Sequence, residues 1–157
     1  QNNQYALSLP WKQTAYKCDL SKRVATYNIP AECVDGMDVL AVYRAAKKMV
    51  DRARAGGGPG FIEAKTYRFL GHYVGDPGAY MPPEEREAWR QRDAILRLNQ
   101  HLRAWGYLSD EEDAQMGADI ERELEEAVDF ARSSPLTRVE EALADVYACF
   151  DYLGNPR

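Results

Sequence analysis

Long hydrophobic runs are missing from this sequence. No apolar stretch approaches the ~18 residues that a membrane-spanning helix needs. Nor do the first residues carry a signal-peptide pattern. Cysteine is scarce: Cys18, Cys33 and Cys149 are odd in number and show no C-x-x-C spacing, which argues against a disulfide framework or a thiolate zinc site. An excess of positive charge is also absent. The 20 Lys and Arg are outnumbered by 25 Asp and Glu, the net charge is −5, and no basic cluster offers a nucleic-acid footprint. There are no internal repeats and no low-complexity tract. The first residue is Gln1 rather than Met, so a piece of a longer protein is expected. A reducing bacterial cytoplasm is the expected compartment, although an organelle matrix would leave the same composition.

What is present fits a globular protein. The 157 residues are 45% hydrophobic and 29% charged, enough for one domain with a core. Residues 1–18 read as irregular chain following a strand end. A short helix is expected from Asp19 to Tyr27, with Asn28 able to take the left-handed position that closes it. Glu32–Val34 reads as a strand. Val39, Val42, Tyr43, Ala46, Met49, Val50 and Ala53 recur at helical spacing and predict a helix over 38–55, ended by Gly56-Gly57-Gly58-Pro59. Phe61–Arg68 reads as the next strand. Strand, helix, strand in that order predicts parallel pairing, hence an α/β fold.

From Leu70 to Pro83 the chain shows no periodicity, and loops of that length inside a compact domain are often functional. Helices follow. Pro83 suits a first helical position before Glu84 and Glu85. Asp93 precedes Ile95, Leu98, Leu102 and Trp105, with Gly106 as the stop. Ser109 to Glu112 forms a capping box ahead of Ile120, Leu124, Ala127, Val128 and Ala131. A last helix is expected over 138–150, carrying Val139, Leu143, Val146 and Tyr147.

Two stretches could carry chemistry. Asn2-Asn3-Gln4-Tyr5 offers an amide oxygen and a nearby backbone carbonyl, hard ligands of the kind Mg²⁺ accepts, although paired asparagines more often make a turn. The second stretch runs from Lys65 to Gly78. There His72, one of two histidines, follows a strand end, where α/β folds place ligands. A lone histidine is more often structural, and position is what favours His72. His101, within a polar helix face, reads as solvated.

Together, NNQYALS, DLSKRVATYNIP, VDGMDVLAVYRAAKKMVDRARAGGGPGFIEAKTYR, GHYVGDPGAY, RDAILRLNQHL and the closing SSPL and EEALADVYA resemble one family along essentially the whole chain. It is the α subunit of the thiamine diphosphate-dependent first component of pyruvate, branched-chain 2-oxo acid and acetoin dehydrogenases. The resemblance implies the C-terminal part of a thiamine diphosphate-binding domain over 1–82, followed by a helical C-terminal extension over 83–157. It implies Mg²⁺ held by the Asn3 side chain and the Tyr5 carbonyl, with His72 at the catalytic centre against the diphosphate. Gln1 stands where some members carry an Arg near the phosphates. It further implies a β-subunit partner in a heterotetramer, a lipoyl domain as acyl acceptor, and a 2-oxo acid or acetoin as substrate. The Gly-Asp-Gly that opens the family's metal motif is not in this sequence, so these residues alone are expected to be inactive. Tyr73 and Tyr80 stand where kinase-regulated members carry serines, and Met81 replaces a common Arg. The competing expectation is a non-catalytic helical interaction module, which would leave NN-x-Y and the GH loop unexplained.

Overall fold

The computed structural model describes residues 1–14 and 19–143. Its elements in chain order are β1 (Tyr5–Ala6), β2 (Leu9–Pro10), α1 (Trp11–Thr14), α2 (Leu20–Ala25), β3 (Ala31–Asp35), α3 (Val39–Arg54), β4 (Phe61–Lys65), α4 (Pro83–Arg90), α5 (Ala94–Ala104), α6 (Asp110–Ser133) and a 3₁₀ turn (Val139–Leu143). Two compact units divide the chain, Gln1–Leu108 and Ser109–Arg157. The fold is α/β, a small parallel sheet flanked by helices with a helical C-terminal region. Among the described residues, no helix is long and apolar enough to cross a membrane.

β3 and β4 pair in parallel, from Ala31 opposite Phe61 to Asp35 opposite Lys65. The connection between them is α3, as a parallel pair requires. Asp38 starts α3 by accepting from the Leu40 and Ala41 amides, both at 3.0 Å, which satisfies two donors that the first turn leaves orphaned. Gly56 and Gly58 take φ of +78° and +79° just past its end. Ala45 and Met49 are buried, and the helix packs on both strands. Val39, Tyr43 and Val50 are exposed, although the periodicity predicts them on the buried stripe. The helix has more apolar face than a sheet this narrow can cover.

The first ten residues are more ordered than their sequence suggests. Asn2 bridges in parallel to Lys65: its N–H donates to the Ala64 carbonyl at 2.8 Å, and the Thr66 N–H donates to the Asn2 carbonyl at 2.9 Å. Because β3 occupies one side of Lys65, this bridge lies on the other, and β4 sits between them. β1 and β2 then form a small antiparallel hairpin. β4 is regular only to Lys65, three residues short of the expected end at Arg68, because the chain beyond it bonds instead to Asn2 and Asn3.

The helix starts follow their caps. Asp93 accepts from Ile95 and Leu96, and Ser109 and Glu112 form the reciprocal capping box of α6. Asp19, where this helix is expected to begin, occupies the N-cap of α2, but its carboxylate makes no cap hydrogen bond; it bonds Lys65 and pairs with Lys22 at 3.9 Å. Asn28 takes φ +59°. Of the expected last helix, Val139–Leu143 form a 3₁₀ turn; Val146 and Tyr147, like Cys18 and Cys149, lie outside the described residues.

α5 is tied to the end of β3 by charge. Asp35 accepts from Arg92 Nη2 and Arg97 Nη1, each at 3.0 Å, and from the Met37 amide at 3.0 Å. Partial burial alone would raise this carboxyl. The bonds from Arg97, Met37 and Arg92 outweigh it and hold Asp35 below the usual carboxylate range. A depressed carboxyl stabilises the fold above its unfolded pKa and loses that contribution as pH falls through the folded one. Asp35→Asn should therefore cost about 1 kcal/mol at pH 7, a value already reduced for solvent screening. The difference from wild type should shrink as the pH is taken below about 4. Urea unfolding at a series of pH values checks this, and a pH-independent difference would contradict it.

Candidate cofactor site

In open parallel sheets, ligands bind beyond the carboxyl ends of strands, where helices and loops leave a crevice. Two such ends lie side by side here. One belongs to the Asn2 segment and continues to Asn3 and Tyr5. The other belongs to β4 and continues through Thr66 and Arg68 to His72. Their pairing brings together two stretches more than sixty positions apart in sequence.

The two asparagines have separate tasks. Asn2 is buried; its Nδ2 donates to Glu63 Oε1 at 2.9 Å, and its Oδ1 accepts from the Gln4 amide at 3.1 Å. Glu63, 2% exposed, is further held by the Ser21 amide at 3.1 Å. Asn2 is thus a brace. Asn3 presents its Oδ1 to the Thr66 hydroxyl at 2.7 Å, which orients the amide and leaves that oxygen a second lone pair. Tyr5 stands opposite Pro10 in the hairpin. The ladder bond beside this pair runs from the Trp11 N–H to the Gln4 carbonyl at 2.7 Å, so Tyr5 and Pro10 face each other as a non-hydrogen-bonded pair and the Tyr5 carbonyl points away from β2. A cavity of about 200 Å³ is lined by Gln1, Asn2, Asn3, Tyr5, Ala6, Trp11 and Leu20. A cation that takes neutral oxygens fits this donor set. His72 is not on that lining.

Arg68 joins the two halves. Its backbone N–H donates to the Asn3 carbonyl at 3.4 Å, and its Nη2 to the Leu7 carbonyl and the Tyr80 phenol, both at 2.7 Å. Its Nη1 lies 3.5 Å from His72 Nδ1. A guanidinium only donates, so this long contact favours Nδ1 as acceptor and leaves the imidazole proton on Nε2. His72 itself is exposed, which removes the core-histidine reading. His101 is exposed too and stacks on Trp105, ring centroids 5.4 Å apart.

The His72 loop is organised around Asp76. Its Oδ2 accepts from the Tyr80 phenol and the His72 amide, both at 2.7 Å, and its Oδ1 from the Gly78 amide at 2.9 Å. These three donors, the phenol foremost, hold Asp76 down at about 2, so it is ionised throughout the physiological range. Gly71 is required by contact, since a Cβ there would collide with the Asp76 carbonyl. Gly78 takes φ +67° with Met81 against it. Tyr80 is therefore part of the scaffold, whereas Tyr73 is 69% exposed.

Among the described residues one other set of potential ligands converges: Asp19, Cys33 and Glu63, whose donor atoms lie within 4.8 Å of one another. Its carboxylates are committed to Lys65, Asn2 and Ser21. Thr66, Arg68, Asp76 and Glu85 were not singled out from sequence. The first three lie inside the Lys65–Gly78 stretch but carried no role of their own; Thr66, Arg68 and Glu85 gain theirs from partners sixty or more residues away, and Asp76 from donors within its own loop.

The family model for the dehydrogenase E1 component matches residues 1–140. The chain belongs to that family. It is 39% identical over 156 residues to the α subunit of acetoin:2,6-dichlorophenolindophenol oxidoreductase of Bacillus subtilis, covering 96% of this chain and 45% of that protein. It is 38% identical over 148 residues to the pyruvate dehydrogenase E1 component α subunit of Porphyra purpurea, covering 94% and 43%. The chloroplastic α-3 subunit from rice is 33% identical over 148 residues, covering 94% and 35%. The chain thus spans less than half the length of these relatives.

The Asp76 network makes a prediction for the loop. Asp76→Ala removes the acceptor of two backbone amides and a phenol, so the protein should be cut by chymotrypsin at Tyr73 several-fold faster than wild type. Mass spectrometry of the digest locates the cut, and an unchanged rate would show the loop is held by something else.

Proposed function

We propose that this chain is the later part of the α subunit of a thiamine diphosphate-dependent dehydrogenase. It oxidatively decarboxylates a 2-oxo acid such as pyruvate, or cleaves acetoin, and passes the acyl unit to a lipoyl group. Residues 1–82 form the C-terminal part of the cofactor-binding domain and residues 83–157 its helical extension. The carrying observation is the adjacency of NN-x-Y and the His72 loop at two parallel strand ends, in a chain that belongs to the dehydrogenase E1 component family.

In this reading the Asn3 amide oxygen and the Tyr5 carbonyl hold Mg²⁺, and His72 donates from Nε2 to the diphosphate. Thiamine diphosphate supplies the nucleophilic carbon and the electron sink for cleavage next to a carbonyl. The chain's own residues place and neutralise it. Thr66 orients Asn3, Arg68 keeps Nδ1 of His72 as acceptor, and Asp76 fixes the His72 backbone. The partners are a β subunit in a heterotetramer and the lipoyl domain of an acyltransferase component, in the cytoplasm of a bacterium. Residues 1–157 alone would be inactive, because the Gly-Asp-Gly half of the metal motif is not among them. A purely helical interaction module is not adopted, since it gives the paired strand ends no task.

A charge-assisted hydrogen bond is worth roughly 1.5–3 kcal/mol. In the complete enzyme, His72→Ala should weaken thiamine diphosphate binding by about one to two orders of magnitude. Because His72 is exposed, the melting temperature without cofactor should stay at its wild-type value. Calorimetric titration and thermal unfolding on one sample separate the outcomes: wild-type affinity would retire His72 as a cofactor residue.

A further inference from the structure

We propose that Glu85 is a positioning residue for the metal, acting through the side chain of Tyr5 to fix the carbonyl that Tyr5 offers. This inference rests on the thiamine diphosphate reading above. It starts from how little holds the Tyr5 backbone. The hairpin strands are two residues each, and Tyr5 faces Pro10 as a non-hydrogen-bonded pair, so its carbonyl takes no bond from the opposite strand. Gln4 and Leu7, on either side, take φ of +67° and +53°, a region that residues with a Cβ enter only when their surroundings compel it.

The Tyr5 side chain, by contrast, is firmly placed. It is 9% exposed. Its ring meets Tyr67 edge-on at 5.9 Å and Tyr80 at 5.7 Å, and its phenol donates to Glu85 Oε1 at 2.9 Å. Glu85 Oε2 lies 3.7 Å from Lys12 Nζ. One carboxylate therefore joins β1, α1 and α4. Alongside is a cavity of about 170 Å³ lined by Gln4, Tyr5, Pro10, Lys12, Glu85 and Trp89. A ring freed from Glu85 has room there to shift and carry its backbone along.

Glu85 also connects the two halves of the site. It lies in the first turn of α4, which follows directly on the His72 loop, and Met81 between them is 1% exposed. Ordering that loop sets α4, and α4 brings Glu85 onto Tyr5. The loop is thereby coupled to Tyr5 through α4 as well as through Tyr80, whose ring lies 5.7 Å from that of Tyr5.

The test uses the complete enzyme with saturating thiamine diphosphate and Mn²⁺ in place of Mg²⁺. The Mn²⁺ dissociation constant is read from the electron paramagnetic resonance of the free ion. Tyr5→Phe and Glu85→Ala should each raise it about tenfold, a fraction of what a bond to a charged group can carry. The double variant should be no weaker than the weaker single one, because both remove the same bond. Glu85→Gln keeps an acceptor for the phenol and should stay within about threefold of wild type. Tyr5→Phe preserves the ring packing and carries the test alone if Glu85→Ala does not assemble. Wild-type Mn²⁺ affinity in Tyr5→Phe and Glu85→Ala, with Asn3→Ala losing the ion, would overturn the role of Glu85 and keep the metal site. Additive effects in the double variant would overturn it too. Wild-type affinity in Asn3→Ala would remove the metal reading itself, and this proposal with it.

Discussion

The parallel register of Asn2 beside Lys65 governs where every candidate site residue ends up. Two backbone hydrogen bonds, from Asn2 to Ala64 and from Thr66 to Asn2, define it. Once it is set, the alternation of side chains fixes the rest. Asn2 points to the buried Glu63, and Asn3 meets Thr66. A one-residue slip would exchange the two asparagines, putting the brace in the cavity and the ligand in the core. Glu63 guards against that slip. It is a buried side chain whose oxygens accept from the Asn2 amide and the Ser21 N–H, and a slip would leave a buried acceptor without its hydrogen bond.

The second constraint is Arg68. Sitting where the β4 chain leaves the sheet, it reaches the Leu7 carbonyl in the hairpin, the Tyr80 phenol across the loop and the edge of His72. Its planar fork makes these contacts at once in a way that a lysine could not. The loop it steadies is closed by Asp76 and by a glycine whose neighbour leaves no room for a Cβ. An exposed histidine at a loop tip is ordinarily free to wander. Here its backbone is bound at the amide and its ring is flanked by a cation.

Short-range chemistry was legible in the sequence, and long-range pairing was not. Asp38, Asp93, the Ser109 capping box and Asn28 behave as their local patterns imply, because caps and left-handed closures are decided within four residues. The β3–α3–β4 unit was legible because a strand, a helix and a strand in succession leave few arrangements. Residues 1–14 were misjudged as irregular, since a two-residue strand and a bridge carry no periodicity. The Tyr5 phenol was given no task, because its partner Glu85 is eighty residues away and looks from sequence like an ordinary first-turn acid. Asp19 shows a local rule losing to a tertiary one: its carboxylate leaves the helix for Lys65.

Charge sets the last step of the argument. Asn3 and Tyr5 bring only neutral oxygens to the cavity. The carboxylates around it are engaged elsewhere: Glu63 with Asn2 and Ser21, Asp19 with Lys65, Asp76 within its loop, Glu85 with Tyr5 and Lys12. A divalent cation held by two neutral ligands gains too little to shed its water, since such ions dehydrate reluctantly. If the proposed reading holds, the compensating charge would come from the diphosphate, and metal and cofactor would bind as a unit, each supplying what the other lacks. These residues would then act by geometry, offering two oriented oxygens and a histidine, with an affinity only as good as the registers and anchors that hold them.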